Sequence, residues 1–225
     1  MAMDARKRQK KLQRKAQKRK QKVTTKKKVQ SKGLQPAKYI EHPVFECLMA
    51  ESIEEVGMGS VLIARETPYA EVAVSAFVVD SWCLGVKEAF FTVMRKTDYR
   101  SKLKPMLAKT HEEHGIRAVE PACARKFLQQ AVAYAEALGF EPAEDYWRAE
   151  KLFGDTNAAQ CETTFNFGRE GRPFYVQGPN DDLKVVRHVI ERLTEKVGEG
   201  NFDYLIEIDG ERQASREELE SLWDR

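Results

Sequence analysis

SVLIARETPYAEVAVSAFVVD, residues 60–80, sets two apolar, β-branched runs on either side of Thr67, Pro68, Tyr69 and Ala70. So short a connection, with a Pro inside it and Val- and Ile-rich flanks, predicts an antiparallel hairpin. The second arm is apolar in both phases of a two-residue repeat. It therefore predicts a central strand covered on both faces rather than an edge with one wet side.

Working outward, the pattern changes on both sides. Upstream, in VFECLMAESIEEVG (44–57), Phe45, Leu48, Met49, Ile53 and Val56 recur at helical spacing before Gly57, which predicts a helix. Downstream, in WCLGVKEAFFTVMRK (82–96), Leu84, Ala89, Phe90, Val93 and Met94 favour a second helix with Gly85 near its start. From 97 to 120 no period stands out; a short helix around 103–107 and a loop containing THEEHGIR fit best. PACARKFLQQAVAYAEALGF (121–140) reads as a helix entered at Pro121 and left at Gly139. A further helix is expected over about 143–153, stopping at Gly154.

TTFNFGREGRPFYVQ (163–177) suggests a second hairpin, with Phe165 and Phe167 across a Gly-bounded turn from Phe174 and Val176. NDDLKVVRHVIERLTEKVG (180–198) predicts a helix capped by Asn180. FDYLIEI (202–208) reads as a strand, and SREELESLW (215–223) as a last helix opening on the capping box Ser215 to Glu218. The sum is an α+β fold: one compact domain over 39–225, with two antiparallel hairpins, a further strand and five to six helices. A disordered basic arm and linker, residues 1–38, precedes it.

The arm is set apart by charge. Residues 1–38 carry sixteen Lys and Arg against the single acid Asp4, a net of +15; residues 39–225 carry 22 bases and 34 acids, a net of −12. The overall +3 hides this opposition. The arm has too little apolar surface to offset the entropy of ordering, although its Lys, Arg, Gln and Ala are good helix formers. The cations expected to meet phosphate are Arg6, Lys7, Arg8, Lys10, Lys11, Arg14, Lys15, Lys18, Arg19, Lys20, Lys22, Lys26, Lys27 and Lys28. Lysines dominate, and no aromatic residue precedes Tyr39. Such an arm binds backbone charge with little regard for sequence and has no platform for unpaired bases.

Within residues 5–28 the only large hydrophobes, Leu12 and Val23, cannot make the apolar face of an interfacial helix. The stretch also lacks the apolar run of a secretory signal, and no eighteen-residue apolar segment occurs. A cytoplasmic location is expected, or a nuclear one in a nucleated cell. In that reducing setting Cys47, Cys83, Cys123 and Cys161, with no CxxC among them, read as small buried hydrophobes.

Candidate chemistry in the body is sparse. Asp80 ends a buried strand, where a carboxylate can hold Mg²⁺, and Asp155 or Glu162 could join it for phosphodiester hydrolysis; capping the following turn is the simpler role. His111 and His114 flank two acids in THEEH. They could share a zinc ion, although the spacing is not HExxH and a solvated loop accounts for them. GREGRPFYVQGPNDD matches neither GxGxxG nor GxxxxGK. The aromatics of FNFG and FYV, Phe165, Phe167, Phe174 and Tyr175, could stack bases, but core packing is the better account. The expected function is a nucleic-acid-associated protein, RNA before DNA, with no resident cofactor. The alternatives are a hydrolase using Asp80 with Mg²⁺, recruited by the arm, and a module binding acidic protein surfaces. The sequence specifies no oligomeric state.

Overall fold

A computed structural model of the chain describes residues 35–51, 53–178, 180–208 and 211–212, with side chains through Ile206. The basic arm up to residue 34 and the expected helix at 215–223 lie outside the described residues.

The hairpin forms as its sequence predicts. β2 (Met58–Glu66) and β3 (Glu71–Asp80) pair antiparallel from Met58↔Asp80 to Glu66↔Val72. Around them stand β1 (Val44–Ala50), β4 (Gly85–Arg95) and β5 (Ile116–Ala118), giving one antiparallel sheet in the order β4-β3-β2-β1-β5. With several helices packed on this sheet, the α+β class holds.

Two expected helices are strands, and the cause is burial. In β1, Cys47 to Ala50 are buried without a break because the strand lies between β2 and β5. Its apolar residues therefore show no clean alternation, and only α1 (Ile53–Val56) is helical. In β4 each phase of the strand is half apolar. Phe90, Thr92 and Met94 face one side and Phe91 and Val93 the other, opposite Ala76, Val74 and Val72 or Ser75 and Ala73. Gly85 starts this strand at φ +64°, where a Cβ would lie 2.7 Å from Ala135 Cβ. That closeness lets the helix beside it pack on the strand backbone.

Both sheet faces are covered. Val72, Val74 and Ala76 join Leu48, Leu62 and Ala64 beneath Tyr99, Leu103 and Leu107. Those three belong to α2, a helical run of Lys96–Asp98, a π turn Tyr99–Leu103, and Lys104–Thr110. The wide turn is marked by the Lys104 N–H donating to Tyr99 O, five residues back. On the other face, Ser75 Oγ donates to Ala149 O at 2.7 Å, and the Phe77 ring meets Tyr146 and Phe153. Here lie α3 (Pro121–Ala137) and the short α4 (Tyr146–Ala149), which continues as a 3-10 turn, Glu150–Phe153. α3 keeps its expected span, whereas α4 starts later than its sequence suggests.

The segment 154–173 forms no ladder beyond a single bridge, Arg169↔Arg172. The second hairpin is therefore corrected: its turn exists, but Phe165 and Phe167 pack on the Phe127 ring at 5.1 and 5.5 Å instead of pairing across. β6 (Phe174–Val176) pairs in parallel with β7 (Asp203–Leu205). α5 (Leu183–Val197) buries Val186, Val189, Ile190 and Leu193 against Tyr175, Phe202 and Ile206. Its cap is Asp182, whose Oδ1 accepts from the N–H groups of Lys184 and Val185 at 3.0 Å, rather than Asn180.

Cations rooted in the sheet and α3 satisfy the carbonyls that the irregular segment leaves open. Arg65, 7% exposed, donates to Leu152 O, Phe153 O and His42 O at 2.7, 2.9 and 2.6 Å. Arg125 donates to Gly154 O and Thr156 O, and Lys126 to Cys161 O and Thr163 O. The cysteine expectation is also corrected here. Cys47 and Cys83 are free and buried, but Cys123 in the first turn of α3 is disulfide-bonded to Cys161. The fold brings their Cα atoms to 4.9 Å, within the range a disulfide needs.

Arg65→Lys keeps the charge but loses the fork, so at least one buried carbonyl goes unpaired; urea unfolding should show a loss of about 2–4 kcal/mol. Reduction should also destabilise the protein. The bridge spans a separation of 38 residues, and opening it is expected to cost about 2–4 kcal/mol. A thermal midpoint unchanged by dithiothreitol, with thiol titration confirming reduction, would refute that expectation.

Candidate functional site

The turn between β3 and β4 organises the most elaborate polar site among the described residues. Asp80 Oδ1 accepts the backbone N–H groups of Trp82 at 3.0 Å and Cys83 at 2.9 Å. Ser81 Oγ donates to Ile53 O at 2.8 Å, and Trp82 Nε1 to Glu54 O at 2.9 Å. These bonds fasten the turn to α1. Asp80 is only 3% exposed, and burial pushes its carboxyl up to about 6, against the opposing pull of the Lys87 charge and the turn N–H groups. Burial likewise raises the Cys83 thiol, far from the ionised form that a nucleophile needs.

Lys87, two residues into β4, turns toward α5, with Nζ 3.9 Å from Asp181 Oδ2. That oxygen also accepts from Tyr175 Oη at 3.0 Å and Gly178 N at 2.8 Å. Above them opens a cleft of about 510 Å³, lined by Lys87, Phe140, Glu141, Asp181, His188 and Arg192 among others. Lys87 and His188, far apart in the chain, thus share one cavity. Its walls carry both signs of charge over an apolar floor of Leu84, Val86 and Val185.

The other candidate carboxylates sit elsewhere. Asp155 is exposed, and its charge acts on Arg65. Glu162 lines a separate cleft of about 450 Å³ with Arg117, Glu120, Cys123, Gln160 and Thr163. Among the described residues no three His, Cys, Asp or Glu side chains are grouped to hold a metal ion. His111 Nε2 lies 3.0 Å from Ser60 Oγ, docking the end of α2 on β2. Burial, and then the neighbouring His114, draws the His111 ring below its ordinary pKa. His114 lies 4.0 Å from Glu113.

The aromatics once read as a stacking surface are engaged with one another. Phe167 stacks on Phe127 and Tyr134, while Phe174 meets Trp82 edge-on at 5.4 Å. Arg169 lies over Phe174 at 4.8 Å, and Arg172 donates to Gly200 O. The fourteen arm cations, Arg6 to Lys28, lie outside the described residues.

One charged group escaped the sequence reading. RKTDYRSKLKPMLAK (95–109) holds six bases and one acid, a net of +5 inside an acidic body. A sliding count of local charge would have found it. No protein-family model matches the chain, and no curated protein or solved structure is similar to it.

The Asp80 geometry gives a test. Between about pH 4 and pH 6 the folded protein holds a proton that the unfolded chain releases, so stability should fall as pH rises through that window and then level off. Asp80→Asn keeps the Oδ1 acceptor but not the buried charge. It should flatten this slope and leave stability at pH 7 equal to, or up to ~3 kcal/mol above, that of the parent. Denaturant titrations at both ends of the window decide; a variant markedly weaker at pH 7 would show that the carboxylate charge is needed.

Proposed function

We propose that the protein associates with nucleic acid, RNA in preference to DNA, by setting its Lys-rich arm against the phosphate backbone. The observation that carries this reading is the segregation of charge: +15 in residues 1–38 against −12 in the rest. Solubility alone would not require sixteen cations in one block, and their predominance as lysine suits non-specific phosphate contact. No described helix is long and apolar enough to cross a membrane. We place the protein in the cytosol, where RNA is the abundant polyanion and where the Cys123–Cys161 pair would face reducing thiols. On this reading Asp80 holds a turn and performs no hydrolysis.

The test is a salt titration against a structured RNA and a DNA duplex, using the intact chain and a chain starting at Gln35. If the arm neutralises even ~8 phosphates, log K should fall against log salt with a slope of about −6 to −7, and the shorter chain should lose most of that slope. Equal affinity of the two chains would refute the proposal.

A further inference from the structure

The strongest local excess of positive charge in residues 39–225 lies on a fixed element. Without 95–109, residues 39–225 hold 16 bases and 33 acids, a net of −17; the +5 of that single stretch is therefore concentrated on the end of β4 and on α2. Tyr99, Leu103 and Leu107 turn the inner side of α2 into the sheet, so its charges are held on a packed helix rather than on a loop.

Each cation has a definite setting. Lys96 is paired with Glu66 at 2.5 Å and lies 4.5 Å from the centre of the Phe45 ring. Arg100, exposed, lies over the same ring at 5.6 Å. Lys104 and Tyr99 Oη both bond Glu46, which ties the middle of the helix to β1. Lys102 is 76% exposed despite its pairing with Asp98, and Arg95 and Lys109 are exposed at the two ends. Lys102 and Lys109 are seven residues apart, two helical turns, so they project from one side. Lys96 and Lys104 thus anchor the helix, while Arg95, Arg100, Lys102 and Lys109 are exposed, Arg100 on the flank over Phe45 and Lys102 and Lys109 on the side turned from it.

We infer that the outer side of α2 is a second contact for the nucleic-acid phosphate backbone, distinct from the arm. The inference rests on the proposed association with RNA and specifies which face of the body meets it. Charge complementarity selects the occupant. Residues 95–109 are the densest cluster of cations in an otherwise acidic stretch of chain, and a guanidinium supported by Phe45 is pre-set to fork on phosphate oxygens.

The test uses the full chain and a structured RNA of defined length. Arg100→Gln, Lys102→Gln and Lys109→Gln together remove three exposed charges and lose only the Arg100 contact with the Phe45 ring and the surface Lys102–Asp98 pair, so far-UV circular dichroism and the thermal midpoint should be close to those of the parent. The salt slope should shrink by about 2–3, with binding at 0.1 M salt some tenfold to hundredfold weaker. A second variant, Glu112→Gln with Glu113→Gln, removes exposed acids at the end of the helix and should tighten binding. A full chain with the arm cations of residues 6–28 changed to Gln separates the two readings. If only the arm variant loses slope, the α2 contact is overturned and the arm reading stands; if only the triple variant does, the arm reading fails and the α2 contact stands. Competition by polyglutamate as effective as RNA at matched charge would overturn the phosphate assignment.

Discussion

A guanidinium enclosed between a sheet and a turn holds this fold together. Arg65 stands on β2, where Ile63 and Ala64 before it are fully buried, and reaches three backbone carbonyls contributed by two distant parts of the chain. A buried cation is costly unless every donor finds an acceptor, and burial does lower the Arg65 pKa, while the charges of Glu41 and Asp155 oppose that shift. What the cost secures is position. The lead into β1 at His42 and the turn closing α4 at Leu152 and Phe153 are pinned to the same side chain. The irregular segment that follows can then run without a ladder because Arg125, Lys126 and the Cys123–Cys161 bridge continue the same service from α3.

This arrangement explains which elements could be read from sequence. The β2–β3 hairpin was legible because its signals are local: β-branched runs, a Pro and a short connection. α3 and α5 were legible because each buries one continuous stripe of its surface, so the helical period survives. β1 and β4 were not legible, for opposite reasons. Cys47 to Ala50 are buried on both faces, which erases alternation. β4 lies at the sheet edge, where both faces are partly apolar and Phe90 remains 40% exposed. Either situation leaves apolar residues at spacings that imitate a helix. The 154–173 segment escaped for another reason: its partners are side chains remote in sequence.

The candidate site was legible in location but not in chemistry. Asp80 at the end of a buried strand is visible in the sequence; that its oxygen is held by the N–H groups of Trp82 and Cys83 depends on turn geometry. The sharing of one cleft by Lys87, Asp181 and His188 depends on how α5 docks. α2 was legible only as the short helix expected around 103–107, because the π turn at Tyr99–Leu103 breaks the regular helical period before it. Inward residues at i, i+4 and i+8 would drift around an ordinary helix, and the wider turn brings the buried Tyr99 and the half-buried Leu103 and Leu107 back under the sheet.

The same turn bears on recognition. A charged arm binds a polyanion at any angle, since point charges on lysine impose little geometry. Positive charge concentrated on one packed helix would favour some approaches over others, because charges act over only ~8 Å at physiological salt. Affinity from the arm and orientation from α2 are then separable quantities. On the proposed reading, counterion release at the two surfaces would add in log K, because they belong to one chain. An arm alone would hold the body near RNA in no particular attitude. A fixed cationic helix would instead turn the opposite side of the sheet, with its α3 and α4 layer, away from a polyanion bound there.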